Sequence, residues 1–190
     1  MARKLILFMH ISLDGYATDL KGDLSWVPYD EELQAYAKEI VDNVGTPVYG
    51  RKTYELMESY WPNVLNDPNA TGYELEHARW INDVQKIVLS KTLKNPIWNN
   101  TLVISDHIVE EFNNLKKVDG KNLVIFGSPT ASQTLLKLGL IDELLLTQCP
   151  VLLGKGLSPF TQNSDKINLK LISSKTFKSG VLSLHYQVEK

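Results

Sequence analysis

The sequence predicts a single α/β domain on a mostly parallel sheet, finished by a C-terminal antiparallel hairpin. Three observations carry this. Short aliphatic runs (KLILFMHI at 4–11, PVYG at 47–50, KIVLS at 86–90, TLVIS at 101–105 and NLVIF at 122–126) recur along the chain, and near-continuous apolar strands of this kind belong to sheets covered on both faces. Helix-patterned segments stand between several of them, the alternation that builds a parallel sheet. The end of the chain changes character: LKLISSKTF and VLSLHYQV alternate around Lys178-Ser179-Gly180, the signature of a hairpin. With 190 residues and no repeat or linker, one full-sized core is expected.

The first strand ends at SLDG, where Asp14-Gly15 marks a turn. Leu33, Tyr36, Ala37, Ile40 and Val41 follow the i, i+3, i+4, i+7, i+8 stripe of a core-facing helix. Asp30-Glu31-Glu32 opens it, where acidic groups suit the positive end of the helix dipole. PVYG reads as a strand stopping at Gly50, with RKTYELMESY as the helix behind it. WPNVLNDPNATG at 61–72 reads as an exposed loop. TLVIS is followed by a helix from about Asp106, and NLVIF by Gly127-Ser128-Pro129, in which Ser128 suits an N-cap and Pro129 the first helical position. ELLLTQCPVLLG reads as one further long apolar strand.

Composition narrows the function. Lys and Arg number 20 against 22 Asp and Glu, so there is no global positive field to gather nucleic acid or an anionic membrane surface. Cys149 is the single cysteine, which rules out an intrachain disulfide or thiolate cluster and suits a reducing cytoplasm. His10, His77, His107 and His185 lack ligand spacing, so no metal is expected. His10 and Asp14 interrupt the N-terminal apolar run, which therefore reads as a strand rather than a signal peptide. No stretch approaches the roughly 18 apolar residues of a membrane span.

In an open α/β sheet, ligands gather beyond the carboxyl ends of the strands, where helix N-termini expose unpaired N–H groups. Gly50-Arg51-Lys52-Thr53 and Gly127-Ser128-Pro129-Thr130 are two such places, and Ser90-Lys91, after a third strand, adds to the phosphate contacts. Each is open to a plainer reading, as solvated charges or a well-capped helix start. Together they suit a dinucleotide, whose phosphates need several donors. Neither G-x-G-x-x-G nor a P-loop is present.

The order of LILFMHISLDGYA, the Trp26 loop, VYGRKTYE, KIVLSKTL, VIFGS and GLIDELLLTQCPVLLGKGLSPF resembles the dihydrofolate reductase-like superfamily. Within it, the chain is similar to the branch holding the reductase domain of the riboflavin-pathway deaminase-reductase. The resemblance covers nearly the whole chain and implies a three-layer αβα fold. It also implies an NADPH cofactor, with Gly50, Arg51, Lys52, Thr53, Leu89, Ser90, Lys91, Gly127, Ser128 and Thr130 as contacts. Where the family usually has two adjacent glycines, this chain has Gly127-Ser128, which alters the approach of a pyrophosphate.

On the substrate side the resemblance implies Asp30 as the acid that holds a heterocycle, with Thr147 orienting it and Asp14, Trp26 and Tyr49 lining the pocket. Asp30 is equally readable as a helix cap, Thr147 as sheet filling and Asp14 as a turn residue. The implied reaction is hydride transfer to a small pteridine- or aminopyrimidine-like substrate. Val84 stands where dihydrofolate reductases place a basic residue for the substrate carboxylate, with Arg79 nearby, and Asn66-Asp67-Pro68 lies too far downstream for the riboflavin enzyme's acidic motif. A non-catalytic nucleotide-binding or regulatory domain is the competing expectation. The apolar LLLTQCPVLL strand and the edge hairpin also suit a homodimer.

Overall fold

The computed structural model describes residues 2–160 and 165–189. Eight strands form one sheet: β1 (Leu5–Ser12), β2 (Val44–Gly50), β3 (Lys86–Leu89), β4 (Thr101–Ile104), β5 (Asn122–Phe126), β6 (Glu143–Cys149), β7 (Leu169–Thr176) and β8 (Leu182–Val188). Their order is β4-β3-β2-β5-β1-β6-β8-β7. The first six run parallel, β8 returns antiparallel to β6, and β7 pairs antiparallel with β8. The helices are α1 (Glu31–Asp42), α2 (Arg51–Val64), α3 (Gly72–Asp83), α4 (Ile108–Lys117) and α5 (Pro129–Lys137).

Strand alternation sorts the core into two layers. Leu5, Leu7, Met9 and Ile11 of β1 point to the face covered by Phe112 of α4 and by Leu135 and Leu136 of α5. Ile6 and Phe8 point to the other face, against Ala37 and Ile40 of α1. On that same side Tyr54 of α2 and Ile81 of α3 pack over Tyr49 and Val88. The three-layer αβα arrangement, the mostly parallel sheet and the closing hairpin are as expected. None of the helices is long and apolar enough to cross a membrane among the described residues.

Four local expectations need correction. The 61–72 segment is not one loop: α2 continues through Pro62 to Val64, and α3 begins at Gly72 behind a reciprocal cap in which Thr71 and Glu74 bond each other's backbone N–H. Pro62 removes one intrahelical hydrogen bond but stands only two residues before the helix ends, and the Thr71-x-x-Glu74 signature outweighs the polar composition. The long ELLLTQCPVLLG strand stops at Cys149, since Pro150 has no N–H to continue the ladder. The helix after β4 starts at Ile108 rather than Asp106, behind a left-handed His107 (φ 45°). Ser128 occupies the N-cap position of α5, but its side chain does not cap that helix.

Candidate functional site

Strands β2 and β5 are parallel neighbours, and the helix that follows each leaves on the opposite face of the sheet. Their carboxyl ends therefore open a crevice between two helix N-termini, the place where such sheets bind ligands. Gly50 ends β2 and is the N-cap of α2. A Cβ there would stand 3.3 Å from the Ala131 Cβ and 3.8 Å from the Ser128 Cβ, so glycine lets the two helix starts approach.

Gly127 and Ser128 both lie in the left-handed region, at φ 56° and 57°. That conformation is costly for a side-chain-bearing residue. Ser128 is compensated: it is 4% exposed, and its Oγ accepts the Gly50 N–H at 3.0 Å and donates to the Phe126 carbonyl at 3.3 Å. Ser128 thus ties the end of β2 to the turn after β5 across the crevice.

The other expected cofactor residues extend along the same edge. Leu89 pairs with Gly50 in register. Ser90 follows it, its Oγ taken up by the Thr92 and Leu93 N–H groups. Arg51 and Lys52 are exposed and Thr53 half-buried; Arg51 pairs with Glu55 at 2.8 Å. Thr130 is exposed on the first turn of α5. Lys91 lies further out, lining a shallow cavity of about 840 Å³ with Ser105, Asp106, His107 and Ile108 at the start of α4. The fold therefore assembles glycines, hydroxyls and cations along one edge, although Ser90 and Arg51 already have local partners.

The expected substrate residues are less united. Asp30 caps α1, its Oδ1 accepting the Leu33 N–H at 2.8 Å. Asp14 joins two loops, accepting from the Leu153 and Gly154 N–H groups and the Ser12 hydroxyl, and these bonds hold its carboxyl below the usual range. Trp26 donates its indole N–H to the Asp23 carbonyl and packs on the cluster of Val27, Leu33 and Phe177. Tyr49 is 2% exposed, and burial pushes its hydroxyl pKa up; it belongs to the core with Tyr54, Ile81 and Val88. Thr147 is fully buried, and its hydroxyl is bonded to Nδ1 of His10.

His10 is the residue that sequence reasoning passed over, having weighed it only as a metal ligand and as a break in an apolar run. It sits directly opposite Thr147 in the β1–β6 pairing, on the same face as Phe8. Its ring meets Phe8 edge-on at 5.3 Å and Tyr29 at 5.9 Å. Burial lowers the His10 pKa to about 4, so the imidazole is neutral at pH 7. The signal was a titratable group in the middle of an apolar strand. No cluster of metal-ligating residues occurs among the described residues.

Residues 3–183 match the RibD C-terminal domain family. An uncharacterized protein of Bacillus subtilis (strain 168), YyaP, is 34% identical over 97% of this chain and 94% of its own length. The diaminohydroxyphosphoribosylaminopyrimidine deaminase/5-amino-6-(5-phosphoribosylamino)uracil reductase of Thermotoga maritima superposes with a TM-score of 0.69 at 17% identity, over 99% of this chain and 57% of the longer one. Dihydrofolate reductase from Enterococcus faecalis, solved with NADP(H), superposes with a TM-score of 0.66 at 16% identity over the full length of both chains.

Proposed function

The chain belongs to the RibD C-terminal domain family, and on that premise we propose that it is an NADPH-dependent reductase acting on a small pteridine- or aminopyrimidine-like heterocycle. The observation that carries this reading is the crevice between α2 and α5, drawn together at Gly50 and closed by the Ser128 bridge. NADPH, when bound, supplies the hydride. The chain's part is to receive the pyrophosphate on the N–H groups at the starts of α2 and α5, with Arg51, Lys52 and Lys91 offering charge to the phosphates. A flat substrate then fits on the α1 side of the sheet, near His10, Tyr29 and the Oδ2 of Asp30, for which no hydrogen bond is found among the described residues. Holding the two reactants together and excluding water accounts for most of the expected rate gain.

The test is NADPH oxidation, followed by absorbance, with dihydrofolate and with 5-amino-6-ribosylaminouracil and its phosphate. Substrate-dependent oxidation supports the reductase reading; NADPH binding with no oxidation by any member of a broader pteridine and pyrimidine set favours a nucleotide-binding domain without turnover. We also propose a homodimer. β7 is exposed throughout, with Leu169, Leu171 and Ile172 at 40–52% exposure on an edge strand, and an apolar edge of this kind invites pairing. Light scattering at micromolar concentration checks the mass.

A further inference from the structure

The substrate side holds a polar group whose hydrogen-bonding state can be worked out from its partners. Thr147 has one hydroxyl proton to donate. It is fully buried, and its side chain has a single hydrogen-bond partner among the described residues, Nδ1 of His10. The neighbouring Ser183 hydroxyl donates instead to Tyr36.

If Nδ1 carried the imidazole proton, Thr147 would accept it and its own O–H would be buried without an acceptor, at a cost of about 1–3 kcal/mol. If Thr147 donates to Nδ1, its buried hydroxyl proton has an acceptor. The second arrangement leaves the imidazole proton on Nε2, which has no partner among the described residues.

We propose that His10 is a substrate-contacting residue, fixed by Thr147 as the Nε2–H tautomer so that it presents a hydrogen-bond donor to a carbonyl oxygen or ring nitrogen of a flat heterocycle. This rests on the reading of the α1 side of the sheet as the substrate face. Phe8 and Tyr29 hold the ring edge-on, which restricts its orientation. The low pKa keeps the imidazole neutral throughout the physiological range. The hydrogen bond polarises the substrate's acceptor group, and no proton leaves the ring.

The tautomer is read directly by long-range proton–nitrogen NMR on nitrogen-15 histidine-labelled protein, and the contact by adding pterin to the NADP-saturated chain. The expected result is an unprotonated Nδ1 and a protonated Nε2, retained in Thr147→Ser and lost to a tautomer mixture in Thr147→Val. Pterin should move the His10 Nε2 signal, and His10→Ala should weaken pterin roughly tenfold or more while leaving NADP affinity unchanged. A protonated Nδ1 overturns the proposal. So does pterin that shifts the Tyr29 or Trp26 signals and leaves His10 unmoved, a result that keeps the substrate face. Pterin that shifts nothing on this side overturns both the contact and the substrate-face reading, while the tautomer remains a separate result.

Discussion

Replacing Ser128 separates backbone strain from the bridge across the crevice. The left-handed backbone at φ 57° costs an L residue about 1–2 kcal/mol relative to glycine. The Oγ that accepts the Gly50 N–H is worth about 1–2 kcal/mol, because its removal leaves a half-buried donor unpaired. Ser128→Ala keeps the strain and loses the bridge, so it should destabilise by about 1–2 kcal/mol. Ser128→Gly loses the same bond but relieves the strain, partly offset by greater freedom of the unfolded chain, and should lie about 1 kcal/mol above alanine.

For a chain of this size each kcal/mol moves Tm by about 2–4 °C, so thermal unfolding resolves the pair. Since the N–H groups of α5 rather than the Ser128 hydroxyl meet the phosphates in this account, Ser128→Gly should retain NADPH binding. An alanine variant as stable as the glycine variant would refute the reasoning, because the strain would then be absent.

Other expectations follow from particular contacts. Lys86 is fully buried on β3 and donates to the Ile81, Asn82 and Val84 carbonyls at the C-terminal end of α3, with its Nζ 4.7 Å from the Trp98 ring. Lys86→Met should cost about 2–4 kcal/mol in denaturant unfolding and raise hydrogen exchange in α3 first. Burial lowers the Lys86 pKa from 10.5 to about 8; between these values the unfolded chain binds a proton that the folded chain does not, so wild-type stability should rise with pH from 8 to 10.5 and that rise should be absent from Lys86→Met. His77, ringed by Trp61, Tyr73 and Trp80 with its Nδ1 buried and unbonded, has a pKa lowered by burial from 6.5 to about 4. Stability is therefore lost as pH falls through that window, by at most about 3 kcal/mol from this group, and His77→Phe should make the unfolding profile between pH 6.5 and 4 shallower, the slope from His10 remaining. Gly156→Ala would place a Cβ 2.0 Å from the Thr18 carbonyl oxygen, break the Thr18–Leu157 bridge and lower stability by about 1–3 kcal/mol in the same assay.

The fold was largely legible because its strands are nearly pure apolar runs and its hairpin alternates cleanly around Lys178-Ser179-Gly180. Helix α3 was not, since its polar lead-in and Pro62 mask the Thr71–Glu74 cap. The crevice between α2 and α5 was legible because glycines at strand ends mark where helices begin at the carboxyl edge of the sheet. What Ser128 does there was not, because left-handed backbone and a bond to Gly50, 78 positions away in sequence, are tertiary facts. The residue types at Asp30 and Thr147 were noticed without their partners. Only the β1–β6 register reveals that Thr147 faces and bonds His10.

The most direct test of the central claim is a titration of the purified protein with NADPH, NADH and ATP, followed by tryptophan fluorescence, with Arg51→Ala in parallel. The account predicts that NADPH binds most tightly of the three and is weakened in the variant. Binding of none of the three nucleotides would contradict it and leave the crevice between α2 and α5 without its proposed occupant.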